Sequence, residues 1–211
     1  PSADYALILS RLGSVYYRNQ NMDKALESYK SCLSLHREIT DKDDEKTADL
    51  FIKISEVYIS RNSFEIAVSY LDRAYYILKG LYGEESDKIA DLLEAYAFFY
   101  FQKGDNRKSA QYLHMVIDLK KSRENCSSIY LALHYMRLGI IYTRLGSLGQ
   151  ALTYLKKSLS MQRNYYKSKH PDLASVYGAM GVLHLKLCNY RNAMAYVKKA
   201  LELCRIFFGE K

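Results

Sequence analysis

A period of 42 residues runs through the whole chain: Gly13, Ser55, Ala97, Gly139 and Gly181 stand at that spacing, each preceded by a bulky residue and followed three positions later by a ring. A fixed period of this length marks a stacked-repeat array, because each module is too small to bury its apolar face alone and must lean on a neighbour. The period constrains the fold before composition is considered.

The flanking columns give each module its shape. Before the small column stand Leu12, Ile54, Tyr96, Leu138 and Met180, and after it Tyr16, Tyr58, Tyr100, Tyr142 and His184. Spacings of three and four place them on one face of a first helix. Nine residues past each ring comes a second small column, Ala25, Ala67, Ser109, Ala151 and Ala193, followed by Tyr29, Leu71, Leu113, Leu155 and Val197. This predicts a second amphipathic helix that approaches the first closely at the small positions. Between the two lie turn residues such as Gln20-Asn21, Asn62-Ser63, Gly104-Asp105, Gly146-Ser147 and Cys188-Asn189. Asp41, Gly83, Asn125, Lys167 and Gly209 are expected to close the second helices, four of the five being types that adopt positive φ readily. The apolar pairs Leu81-Tyr82, Tyr165-Tyr166 and Phe207-Phe208 are expected to pin the lengthened second helices onto the next repeat.

The pattern Leu138-Gly139, Tyr142, Gly146, Ala151, Leu155 resembles a tetratricopeptide repeat. With a Gly-closed second helix followed by His170-Pro171-Asp172-Leu173-Ala174, it is similar to the 42-residue repeats of kinesin light chains. The resemblance implies an all-α, right-handed α-solenoid of five helix-turn-helix repeats, about ten helices, in one domain. The repeats span about 4–41, 46–83, 88–125, 130–167 and 172–209. The resemblance has edges. Where some arrays carry a Lys, Asn and Arg clamp for a terminal carboxylate, this chain has Ser10, Ser14, Lys53, Asp91 and Ala95, and where kinesin light chains show groove asparagines it has Arg11, Lys53 and Arg137.

Two prolines and ten glycines in 211 residues leave little room for loops, and no apolar run approaches the roughly 20 residues needed to span a bilayer, so membrane insertion is not expected. The start at Pro1 and the stop at Phe208-Gly209-Glu210-Lys211, where another repeat would begin, predict a longer parent or end-to-end packing. Tyr196, Leu203, Phe207 and Phe208 of the last helix are the candidate self-association, or homo-oligomer, surface.

Cys32, Cys126, Cys188 and Cys204 show no paired spacing, and Cys32 shares a column with Ala74, Val116, Ser158 and Ala200, as a small buried thiol does. A reducing, cytoplasmic setting follows. His184, Cys188 and Cys204 are the nearest approach to a metal set, but His184 replaces a packing ring and Cys188 a turn glycine, so no metal or other cofactor is expected. Ser, His and carboxylates fall into no nucleophile–base–orienter arrangement, and no phosphate-cradling glycine loop occurs, which argues against an enzyme. His36, His114, His134 and His170 are read as surface or capping residues.

What remains is the inner, concave wall that the resemblance assigns to the first helices. Arg11, Tyr17, Arg18, Lys53, Phe98, Phe101, Arg137, Ile140, Arg144 and Lys186 are the candidate partner-binding residues, basic tips around an apolar and aromatic floor. Such a surface suits a protein partner offering an acidic segment with an aromatic anchor, in a cargo-adaptor or cytoskeletal assembly. The acidic side chains of Asp49, Glu56, Asp91 and Glu94 make the second and third repeats less purely basic. A net charge of +8 supports a second class, RNA or another polyanion. Much of that charge sits on second helices, in Lys120-Lys121-Arg123, Lys156-Lys157 and Lys198-Lys199, where a hydrated outer face is the ordinary explanation.

Overall fold

The computed structural model describes residues 2–40, 42–121, 127–167 and 169–209. The predicted closures Asp41 and Asn125 lie outside these, as do Arg123, Cys126 and the two chain ends. Among the described residues the regular structure is ten α-helices: α1 (Ala3–Arg18), α2 (Met22–Ile39), α3 (Glu45–Ser60), α4 (Phe64–Tyr82), α5 (Asp87–Lys103), α6 (Asn106–Lys121), α7 (Ser128–Arg144), α8 (Leu148–Tyr166), α9 (Leu173–Lys186) and α10 (Tyr190–Phe208). They form five hairpins in the predicted register.

Local chemistry starts and stops the helices. The side chains of Ser2, Asn21, Asp44, Ser86 and Asn189 accept from backbone N–H groups in the first turns of α1, α2, α3, α5 and α10, pairing donors that a helix start leaves open. Each hairpin turn passes through one residue of positive φ, Gln20, Asn62, Gly104, Gly146 or Cys188, again 42 apart. Gly83 and Gly209 end α4 and α10 with positive φ, as expected of glycine closures, and Lys167, the one closure of another type, ends α8 with positive φ as well.

The small columns are where the paired helices touch. A Cβ placed on Gly13 would lie 2.6 Å from Tyr29 Cε1, one on Gly139 2.6 Å from Leu155 Cδ2, and one on Gly181 2.7 Å from Val197 Cγ2. Ala25, Ala67, Ser109 and Ala151 are fully buried opposite them. In the third hairpin the Ser109 hydroxyl donates to the Ala97 carbonyl at 2.7 Å, a direct bond between helices in close approach.

A second aromatic column, unread in the sequence, completes four of the hairpins. Tyr58 stacks on Tyr70, Tyr100 on Tyr112, Tyr142 on Tyr154 and His184 on Tyr196, with centroids 5.3–5.8 Å apart and planes within 12° of parallel. In the first hairpin the matching position is Ser28, whose hydroxyl donates to the Lys24 carbonyl.

By its contacts the chain forms two compact units, Pro1–Leu119 and Lys120–Lys211. In the first, Leu50, Ile54 and Val57 of α3 enter the core with Ala25, Leu26, Tyr29 and Cys32 of α2. In the second, Leu173, Val176, Met180 and Leu183 of α9 pack with Ala151, Leu155 and Leu159 of α8. At these two junctions the bulky residues Ile54 and Met180 therefore face the preceding repeat, while Tyr96 also stacks on Tyr112 of its own hairpin. Of the pinning pairs, Tyr166 reaches the following repeat, stacking on His170 and donating to Asp172, whereas Tyr82 donates to Glu45 of its own repeat and Leu81 and Tyr165 are exposed.

Two histidines depart from the surface or capping role expected of them. His36 is buried, with Nε2 2.9 Å from Oδ1 of the α3 cap Asp44, and His134 is buried with Nδ1–H donating to the Tyr130 carbonyl at 2.8 Å. His134 stands in an apolar column with Leu50, Leu92 and Val176, whose burial overrides the residue type, whereas His36, in a mixed column with Leu78 and Gln162, is held inside by its contact with Asp44.

The two kinds of glycine should respond oppositely to a methyl group. Gly139→Ala forces Leu155 aside and should lower stability by about 1–3 kcal/mol. Gly178→Ala, inside α9 with nothing within 4 Å of the added carbon, should raise it by roughly 0.5–1 kcal/mol. Denaturant unfolding of the two variants beside the natural chain checks both signs.

Candidate functional site

Within each unit the first helices lie side by side and present a wall. In the first unit this wall is α1, α3 and α5, stitched by two polar contacts: Lys53 Nζ donates to Ser10 Oγ at 2.9 Å, and the hydroxyls of Tyr17 and Ser60 are 3.1 Å apart. Both contacts join residues 43 apart, one period plus one. Lys53 also sits 5.9 Å over the Tyr29 ring. Of the residues proposed for partner binding here, Lys53 and Tyr17 hold neighbouring helices together, Arg11 and Arg18 are exposed, Phe101 is half-buried, and Phe98 is 39 % exposed.

Glu56 lies in the middle of this wall, and in the sequence it does no more than dilute the basic character. Burial pushes its carboxyl above the ordinary glutamate value, and the Lys53 ammonium offsets only part of that. The α3 part of the wall is thus a half-buried acid beside a tethered lysine, not a basic tip.

The wall of the second unit, α7 and α9, differs. Arg137, Arg144 and Lys186 are exposed and Ile140 is half-buried. One period beyond Ile140 and Thr143 stand Val182 and Leu185, 52 % and 50 % exposed. Val182 shares its column with Phe98 and Ile140, and Leu185 stands at the exit of α9, so the period places both on this face and their exposure leaves them open there. The candidate residues Arg11 to Phe101 thus belong to one unit and Arg137 to Lys186 to the other.

A separate basic cleft of about 350 Å³ opens among α8, α9 and α10, where Arg163, Lys167, Lys169 and Lys199 surround Leu173 and Tyr177. Lys169 pairs with Glu202. Of the proposed self-association residues, Leu203 is buried in the core and Tyr196 is engaged with His184, so only Phe207 and Phe208 stand open. His184 is thereby committed to a ring stack, and Cys188 to the positive-φ turn. Among the described residues no helix is long and apolar enough to cross a membrane.

The tetratricopeptide repeat pattern matches residues 4–79 and 130–206, more than half of the chain. The chain belongs to the tetratricopeptide repeat family. Its fold is that family's all-α repeat solenoid, and solved structures agree. BtubC (BKLC) from P. vanneervenii superposes with a TM-score of 0.78 at 18% identity, covering 96% of this chain and 81% of that one. A putative kinesin light chain with nearly identical TPR-like repeats, from Podosopora anserina, gives 0.75 at 14% identity, covering 94% of each chain. The Rap conjugation gene regulator of plasmid pLS20, in complex with the Phr* peptide, gives 0.73 at 16% identity, covering 95% of this chain and 53% of the regulator. No curated protein matches the sequence.

The raised Glu56 carboxyl has a pH signature. The folded chain holds that proton more tightly than the unfolded chain, so the stability Glu56 contributes is complete below the unfolded value and lost as pH rises through the folded one. Glu56→Gln should therefore melt higher than the natural chain near about pH 7, with the gap closing by roughly pH 4. Thermal melts at the two pH values check this; an equal gap at both would assign the effect to packing.

Proposed function

We propose that this chain is a non-enzymatic adaptor that docks an extended segment of a partner protein on its first-helix walls. The segment carries acidic side chains around an aliphatic or aromatic anchor. One observation carries the reading: the exposed pair Val182 and Leu185 shares the α7–α9 wall with the exposed cations Arg137, Arg144 and Lys186. Exposed apolar side chains within a polar rim are the usual anchor of a binding surface, and the surrounding charge selects the partner's sign. The likeness in fold to a regulator holding the Phr* peptide supports a peptide as the ligand. Cargo adaptation or cytoskeletal assembly in the cytoplasm is the setting this reading implies, by the kinesin light chain resemblance.

The basic cleft beside Tyr177 favours a second reading, a polyanion held on the second helices. The two predict different behaviour. Peptides selected from a random displayed library against the natural chain should share acidic residues around one apolar anchor, and Leu185→Asp or the pair Arg137→Glu with Arg144→Glu should weaken them at least about tenfold. Selected peptides without acidic residues, or affinities untouched by both variants, would overturn the adaptor reading. Binding to single-stranded RNA that falls log-linearly with salt and ignores sequence would favour the polyanion.

A further inference from the structure

The cleft among α8, α9 and α10 belongs to a series. In two earlier repeats a ring in the first half of the first helix lies under two cations, one from the preceding second helix and one from its own. Arg37 and Arg73 stand 5.7 and 5.9 Å over Phe51, and Lys121 and Lys157 stand 5.7 and 4.3 Å over Tyr135. The same columns supply Arg163, Lys199 and Tyr177 to the cleft, with Lys199 5.8 Å over the ring. The opening is a property of these columns, since Arg73 and Tyr76, the equivalents of Lys199 and Glu202, are exposed although α5 and α6 follow them.

What changes at the cleft is the sign of its surroundings. In the first unit the cation of the preceding second helix is neutralised a few residues on: Arg37 pairs with Asp43 at 3.3 Å, and Lys79 pairs with Glu84. The column that holds Asp43 and Glu85 has Lys169 here. Four cations therefore line one cleft of about 350 Å³ beside a single acid, Glu202, which Lys169 takes. Among the described residues Arg163, Lys167 and Lys199 have no acidic partner. Lys167 adds an observation of a different kind. Its φ of 56° is left-handed, a conformation that a Cβ disfavours, and α4 and α10 close on glycine at the same position.

We propose that this cleft is a site for one phosphate monoester group, carried on a small molecule or on a side chain of a partner protein. Such a group brings close to two negative charges and three acceptor oxygens, which match several donors at once where a carboxylate leaves part of the charge unmet. Arg163 offers a planar fork to two of the oxygens, and the lysines act as point charges on the rest. A run of phosphodiesters needs unpaired cations repeat after repeat, and Arg37 and Lys79 are already paired. None of the candidate partner-binding residues lines the cleft, which takes its anion whether or not a segment docks on the first-helix walls.

Calorimetric titration of the natural chain with O-phosphoserine should show one site, and dimethyl phosphate, with one charge fewer, should bind more weakly. Arg163→Ala should weaken phosphoserine at least about tenfold. Lys156→Ala, an equal loss of charge on the exposed face of α8, should leave the affinity unchanged. Lys167→Gly should also weaken binding, yet melt no lower than the natural chain because glycine relieves the turn, a separation that a purely structural lysine does not produce. An alanine peptide bearing phosphoserine that binds tighter than phosphoserine alone assigns the phosphate to a protein, and one that binds no tighter assigns it to a small molecule. No binding of phosphoserine, dimethyl phosphate bound equally well, or equal losses in Arg163→Ala and Lys156→Ala would each overturn the site. Homopolymeric RNA bound where phosphoserine is not would return the cleft to the polyanion reading.

Discussion

The close approach of two helices at a pair of small residues is the interaction on which everything else rests. With Gly13, Gly139 or Gly181 against the residue sixteen positions later, a side chain of one helix lies directly on the backbone of the other. That contact sets the separation of the hairpin, and the separation sets where every other side chain points. The ring stacks at 5.3–5.8 Å fill the space beside it, and Ile54 and Met180 are turned to the preceding repeat.

A hairpin built this way is unfinished by itself. Its first helix buries one stripe only when another hairpin precedes it, and its second only when another follows. The chemistry left over for recognition is therefore confined to what the stacking does not consume. On the first-helix walls that remainder differs between the units: a half-buried glutamate and a tethered lysine in one, an aliphatic pair among cations in the other.

The fold was legible because its determinants recur at a fixed interval. The small columns, the positive-φ turn and the closures at Gly83, Lys167 and Gly209 each depend on one residue in one place, which a period displays openly. Legibility failed where position depends on what lies across a gap. Tyr70, Tyr112, Tyr154 and Tyr196 form as regular a series as the rings they stack on, yet their partner helix is not visible in a linear pattern, so Tyr196 looks like open surface in the sequence. Leu203 misleads for the same reason, since helical spacing alone does not say which face a neighbour covers. The period places Val182 and Leu185 on the wall but does not reveal their exposure, and Glu56 and Lys53 acquire their roles only from burial and from Ser10.

The missing ring in the first hairpin has a mechanical consequence. With Ser28 where the other four carry Tyr70, Tyr112, Tyr154 and Tyr196, α1 and α2 lack the roughly 0.5–1.5 kcal/mol that an aromatic pair adds beyond burial. In a structure whose cohesion is a sum of neighbouring contacts, a hairpin that lacks one of them opens more easily than its neighbours. The pairing of α1 with α2 thus leans more heavily on the close approach of Gly13 and Tyr29 than the other hairpins do on theirs.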